Sequence, residues 1–300
     1  MRVTMTGATG LIGGKLVAAL QERGDEVTVL TRDPGKAGPG VEAHAWDPAK
    51  GPAPAQALEG RDAVIHLAGE KVDQRWTDET KRRIRDSRER GTRNLVEGLR
   101  ATTGRPGVLV SASAVGYYGP HGDEPVPEDT PPGDDFLARV CVAWEAEARK
   151  AGELGVRVVN VRTGIVLDKD GGALSKMLPF FKLGVGGPVA GGKQRMPWIH
   201  ADDVTGIYLK ALDDERWSGP VNATAPEPVT NAVFSKALAR ALHRPAFLPV
   251  PGLAVRVLYG DMAQIVVTGQ NAVPQRTMQL GYRHQHPDLD QALKTALTQG

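Results

Sequence analysis

Apolar positions along the chain recur in two alternating rhythms. The runs Arg2-Val3-Thr4-Met5 and Glu26-Val27-Thr28-Val29-Leu30 read as strands, and between them Leu11, Leu16, Val17 and Leu20 fall on one face of a helix. The same exchange predicts strands at Val41 to Trp46, Ala63 to Leu67, Val108 to Ser111 and Val156 to Val161, with helices over about Thr77 to Leu99 and Asp134 to Ala151. Such alternation predicts an α/β fold, a doubly wound parallel sheet of Rossmann type covered on both faces. After Gly164 the texture changes. Residues 170 to 200 are rich in glycine, as in Gly171-Gly172, Gly186-Gly187-Pro188 and Gly191-Gly192, and read as a long mobile segment carrying a helix near Ala173 to Lys182. A helix from Asp202 to Leu212 and a strand at Pro220 to Ala223 return to the sheet. The remainder is helix-rich and punctuated by proline. The expected division is a dinucleotide domain over 1–225, its loop insertion at about 166–200 contributing to a substrate lobe, and a small C-terminal lobe over 226–300.

Composition narrows the class without naming an activity. With 300 residues and 41% hydrophobic content the chain can bury a substantial core, and 37 basic against 35 acidic residues give a net charge of only +2. That balance gives no push toward nucleic acid or a membrane surface. The basic cluster Lys81-Arg82-Arg83-Ile84-Arg85 is interleaved with acidic residues, as a solvated helix face would be, and it also offers cations to a phosphate-rich ligand. One cysteine, Cys141, excludes an intrachain disulfide. With no apolar stretch of membrane-spanning length and a first strand that begins at once, the expectation is a cytoplasmic protein. The seven histidines and the carboxylates show no close ligand spacing, so no metal site is expected.

The chemistry begins at Thr6-Gly7-Ala8-Thr9-Gly10-Leu11-Ile12-Gly13. A strand ending in glycines at this spacing turns tightly, lets backbone approach a pyrophosphate, and presents helix N-terminal amides to its charge. Gly7, Thr9, Gly10, Leu11, Ile12 and Gly13 are therefore candidate cofactor contacts. At the end of the second strand stands Thr31-Arg32, where an acidic residue would hold the ribose of NAD. A guanidinium there suits the extra phosphate, so the expected cofactor is NADP(H). Leu67, Ala68, Gly69 and Glu70 end the fourth strand where small residues let backbone pass the adenosine ribose. His66 before them is read as a packed, hydrogen-bonded side chain.

These motifs, with Ser111-Ala112-Ser113, Tyr117-Tyr118, Trp144-Glu145, Arg162 to Leu167, Pro197-Trp198-Ile199-His200 and the C-terminal Gly269 to Arg276, resemble an atypical, epimerase-like branch of the extended short-chain dehydrogenases/reductases. That branch carries a small C-terminal domain and has borne the label of cell division inhibitor. The resemblance implies hydride transfer on a carbonyl, carbinol or nucleotide-sugar-like substrate. It places Ser113 at the serine position, but Leu137 and Cys141 at the positions of the Tyr-x-x-x-Lys pair. Neither can do that proton chemistry, and the alternative function is a non-catalytic NADPH-binding sensor or regulator. Tyr117 and Tyr118 are the candidate replacements, against a reading in which one packs and the other hydrogen-bonds structurally. Cys141 is read as a small buried apolar group. Ser111, Arg83, Arg88, Arg162 and the backbone at Leu137 are further cofactor candidates. Gln194, Trp198 and His200 are substrate candidates, although Trp198 also suits a core and His200 a helix cap. A monomer or homodimer is expected, with a small-molecule substrate as the ligand beyond the cofactor.

Overall fold

A computed structural model describes residues 1–246 and 248–298. Seven strands form one sheet: β1 (Arg2–Thr6), β2 (Glu26–Thr31), β3 (Glu42–Ala45), β4 (Ala63–His66), β5 (Val108–Ala114), β6 (Arg157–Thr163) and β7 (Gly219–Ala223). Their order is β7-β6-β5-β4-β1-β2-β3, and every pairing is parallel. Because β1 lies between β2 and β4, successive connections run outward in opposite directions from it. The crevice beyond the carboxyl ends of β1 and β4 is thus the switch point where such sheets bind ligands.

The helices are α1 (Leu11–Glu22), α2 (Asp78–Arg100), α3 (Phe136–Arg149), α4 (Gly172–Lys182), α5 (Ala201–Asp213), α6 (Asn231–Leu242), α7 (Gly252–Tyr259), α8 (Ala263–Val267), α9 (Gln275–Gln279) and α10 (Leu289–Thr298). On one face of the sheet, Leu16 and Leu20 of α1 and Ile207 and Tyr208 of α5 pack on Val3, Met5 and Val110. On the other, Leu95, Val96 and Leu99 of α2 pack on Val64 and Leu109. Thr77 starts α2 by accepting the Thr80 N–H at 3.1 Å, and Asp78 and Glu79 in the first turn complement the helix dipole. The period-3.6 stripe of α2 therefore has both an anchor and a fixed start.

A second apolar cluster lies outside the sheet. It joins Leu174, Leu178 and Phe181 of α4, Trp198, Phe234 and Leu238 of α6, and Leu289 and Leu293 of α10. Residues 170–200, expected to be a long mobile segment, are instead ordered by this packing and by a parallel pairing of Trp198–His200 with Ile165–Leu167. The C-terminal segment is fastened to the connection between β5 and α3, where Asn271–Ala272 pairs in parallel with Pro125–Val126. Among the described residues no helix is long and apolar enough to cross a membrane.

Candidate functional site

The loop after β1 is shaped by what it cannot accommodate. Gly7 has φ +71°, and a Cβ on it would stand 2.8 Å from the Leu67 carbonyl carbon. A Cβ on Gly13 would stand 2.2 Å from the Gly7 oxygen. At these two glycines the loop thus lies directly against the backbone at the end of β4 and of the first turn of α1, and the Gly10 N–H closes the turn on Gly7 O at 3.1 Å. α1 has no side-chain cap and no acidic residue in its first turn. Its leading amides, beside Thr9, Leu11 and Ile12, face no competing carboxylate, which is the donor set a pyrophosphate needs. Arg32 stands exposed at the end of β2, while Thr31 accepts the Asp33 N–H at 3.3 Å.

At the end of β4 the Thr6 hydroxyl accepts the Leu67 and Ala68 N–H groups, both at 3.1 Å. Its own proton therefore goes to His66 Nδ1 at 2.8 Å, which leaves the His66 Nε2–H to donate to Thr92 at 3.0 Å. Burial, with the nearby Arg88 charge, pulls the His66 pKa down to about 4, so the ring is neutral and structural, as its strand position suggests. Arg88 leans against Gly69, donates to the Glu70 and Ile84 carbonyls at 2.9 and 3.2 Å, and lies 5.0 Å from the Trp144 ring. Arg83 is exposed and its charge is taken by Glu79 at 2.7 Å and Glu70 at 3.7 Å.

The ends of β5 and β6 hold a buried polar chain. Ser113 donates to Glu145 Oε1 at 2.7 Å, and Arg162 grips both Glu145 oxygens at 2.8 and 2.9 Å. Arg162 also donates to the Tyr118 hydroxyl and the Glu128 carbonyl, each at 3.0 Å, and Tyr118 donates to Asn222 at 2.7 Å. The Glu128 carboxylate accepts backbone N–H groups of Asn222, Arg276 and Thr277, tying the chain to the C-terminal segment. Burial pushes the Tyr118 pKa up to about 12.

Several expected roles change accordingly. Tyr118 is fully buried with both hydrogen-bonding functions engaged, so it is a brace and not an exposed proton donor. Arg162, 3% exposed, holds Glu145 and Tyr118 and has no face left for a cofactor. Ser111 is wholly buried within β5. Tyr117 remains half-buried, its ring face 3.4 Å from the Arg162 guanidinium. Leu137, half-buried on α3, packs against Gly116. Burial pushes the Cys141 thiol up to about 12, which makes it inert.

The substrate candidates turn inward. Trp198 is 1% exposed, with its ring in the second cluster and its Nε1–H on the Glu227 carbonyl at 3.2 Å, so it cannot stack on a ligand. Gln194 gives its amide hydrogens to the Val189 and Val266 carbonyls. His200 is 2% exposed and caps α5, accepting the Asp202 N–H at 3.2 Å. The spacing argument against a metal cluster also misses a feature: the fold brings His200, Asp202 and His286 within 4.8 Å of one another. Glu145 was legible as the carboxylate four residues beyond Cys141 and eight beyond Leu137, on the same face of α3. Asn222 and Glu128 carried no such signal.

Comparison with known proteins agrees with this architecture. A model of the NAD dependent epimerase/dehydratase family matches residues 3–223, and one of a domain of unknown function, DUF1731, matches 250–296. Epimerase family protein SDR39U1 of Homo sapiens is 39% identical over 299 residues, covering 98% of this chain and 99% of that protein. A chloroplastic SDR39U1 homolog of Arabidopsis thaliana is 39% identical over 310 residues, covering 99% and 87%. The crystal structure of human SDR39U1 (isoform 2) with NADPH has a TM-score of 0.90 at 38% identity, covering 99% of this chain and 100% of that one. That of a nucleoside-diphosphate sugar epimerase from Corynebacterium glutamicum has a TM-score of 0.79 at 37% identity, covering 99% and 58%. A family match running from the first strand to the last of the parallel sheet makes this chain a member of the NAD dependent epimerase/dehydratase family, with a DUF1731 region behind it.

Proposed function

We propose that the protein binds NADP(H) across the carboxyl ends of β1 and β4 and exchanges hydride with a carbonyl or carbinol substrate. The observation that carries this reading is the close approach that Gly7 and Gly13 allow at the start of α1, where no Cβ fits and no side chain caps the amides. The human relative crystallised with NADPH supports the choice of cofactor, as does Arg32 in place of an acidic residue. When bound, the nicotinamide supplies or accepts the hydride. The protein's part is to orient the oxygen and move its proton. Ser113 gives its own proton to Glu145, so toward a substrate it offers lone pairs and accepts from a carbinol. Tyr117 is then the hydroxyl left to donate a proton to a carbonyl. A substrate lobe built from residues 166–200 and 226–300 frames the other wall of the cleft.

Calorimetry tests the cofactor step: NADPH is expected to bind more tightly than NADH, and Gly13→Ala to weaken both by at least about 100-fold through backbone overlap. Equal binding by the variant overturns the cradle. A spectrophotometric screen of carbonyls and sugar nucleotides for NADPH oxidation tests the chemistry, with Tyr117→Phe lowering turnover by about 10²- to 10⁴-fold. A second reading, a non-catalytic NADPH sensor, is favoured by Leu137 and Cys141 on α3 and by the closed pairing of Tyr118 with Arg162 and Asn222. Tight NADPH binding with no turnover across that screen would select it.

A further inference from the structure

The near-neutral charge of the whole chain hides a local imbalance. Residues 171–201 and 228–260 each contain four lysines and arginines and no aspartate or glutamate, while the rest of the chain is net acidic. The fold makes one body of the two segments. α4 and α6 share the second apolar cluster through Leu178 and Phe234, and beyond them Val189 bridges Val250 in parallel. There the Ala190 N–H donates to the Val250 carbonyl at 3.0 Å, and the Val250 N–H donates to the Pro188 carbonyl at 2.8 Å. A strip of residues 183–190 beside 248–252 thus joins the end of α4 to the start of α7.

Along this strip large apolar side chains stand in water. Leu183 is 78% and Leu253 73% exposed, with Phe180, Val185 and Leu248 between them. Val257 continues the row on α7, four residues from Leu253 and on the same helix face. Of the eleven exposed large apolar residues among those described, eight belong to the two acid-free segments, so the exposure is concentrated and not scattered. Cations are interleaved with it. Lys182 ends α4, and the Arg244 Nε–H donates to its carbonyl at 3.1 Å. Lys236, Arg240, His243 and Arg244 line a depression at the end of α6, and Arg256 stands exposed on α7.

Charge and shape together select the occupant. A second copy docked about a two-fold axis would set this acid-free surface against itself, and its cations would repel. A specific protein partner is held by aromatic anchors seated in pockets, whereas the apolar groups here are mostly aliphatic tips. An anionic bilayer answers both features, since the tips can enter at the level of the headgroups while the cations meet lipid phosphates. We propose that the ridge formed by the end of α4, the strip 183–190 with 248–252, and α7 docks the protein on an anionic phospholipid surface. The chain lies on the bilayer and does not cross it, in keeping with the absence of a spanning helix among the described residues.

The test is flotation of the tag-free full-length protein with vesicles of phosphatidylcholine, alone or with about one-third phosphatidylglycerol, at about 0.05 and 0.5 M salt. Binding is expected to the anionic vesicles only, and to weaken at least about tenfold at the higher salt. The double variants Leu183→Asp with Leu253→Asp, and Lys182→Glu with Arg244→Glu, are each expected to weaken it at least about tenfold, the first by removing insertion and the second by reversing charge. NADPH binding by both variants serves as the check that they fold. Failure of the parent protein to float with the anionic vesicles overturns the proposal. So does equal binding to both kinds of vesicle, or binding that survives both double substitutions. Self-association in sedimentation velocity that the first double variant abolishes, with vesicles left unbound, would assign the ridge to a second copy and overturn it as well.

Discussion

The two ends of the binding crevice are built from opposite materials. At β1 and β4 the surface is backbone, specified by the absence of Cβ atoms at Gly7 and Gly13. At β5 and β6 it is buried charge, with Glu145, Arg162, Tyr118 and Asn222 closed on one another. The first end keeps its donors free for a ligand. The second has used most of its donors and acceptors internally. Ligand affinity and fold stability are consequently expected to reside in different residues of one crevice.

The widest separation between the ends should come from Glu145→Gln. The substitution keeps the volume but leaves Arg162, 3% exposed, without its carboxylate, and sets an amide donor against guanidinium donors. Removing one partner of a buried ion pair costs about 3–5 kcal/mol. For a chain of this size that is a fall in melting temperature of about 6–15 °C. NADPH affinity of the folded variant should stay within about threefold of the parent. A loss of stability below about 1 kcal/mol, or a parallel collapse of NADPH binding, would remove the distinction between the ends.

The same contrast explains what the sequence reveals. The sheet and the cofactor half of the site are local in the chain: strand, glycine loop and helix lie within 22 residues, so periodicity and spacing are enough to see them. The other half is assembled at long range. Tyr118 meets Asn222 across 104 positions, and Glu128 meets Thr277 across 149. Nothing in the local pattern tells a tyrosine that such a partner exists. Trp198 and His200 take the second of the two readings their local context allowed, a core side chain and a helix cap, because Trp198 packs among residues 225–296 and His200 lies against His286. His286 joins His200 only because Asp203 fixes the intervening loop.

A smaller effect would locate a pH-sensitive element under the cradle. His66 is fully buried and neutral, its pKa drawn by burial from an ordinary 6.5 to about 4. Between these values the unfolded chain binds a proton that the folded one refuses. Its contribution is complete above about pH 6.5 and declines as pH falls toward 4, by an amount on the order of 3 kcal/mol. Carboxylates titrate in the same window, so the measurement is a difference: urea midpoints at pH 7 and pH 4.5 for the parent and for His66→Gln. The variant should show the shallower pH dependence. Identical slopes would mean that His66 gains its proton without unfolding, and that the Thr6-His66-Thr92 chain does not constrain the end of β4.

The finest test concerns the cofactor end alone. Arg32 is exposed, so its contact with an added phosphate is weakened by solvent, and charge-assisted hydrogen bonds of about 1.5–3 kcal/mol shrink toward the low end. Arg32→Ala should reduce NADPH affinity about tenfold and leave NADH affinity within about twofold, since NADH lacks the group that Arg32 meets. Raising salt should narrow the difference between parent and variant, because the interaction is between exposed charges. An equal loss for both cofactors would place Arg32 in the structure of the β2 turn and not in phosphate recognition. A parent protein that already prefers NADH would show that the cradle accepts the dinucleotide through backbone alone, with no side chain choosing between its two forms.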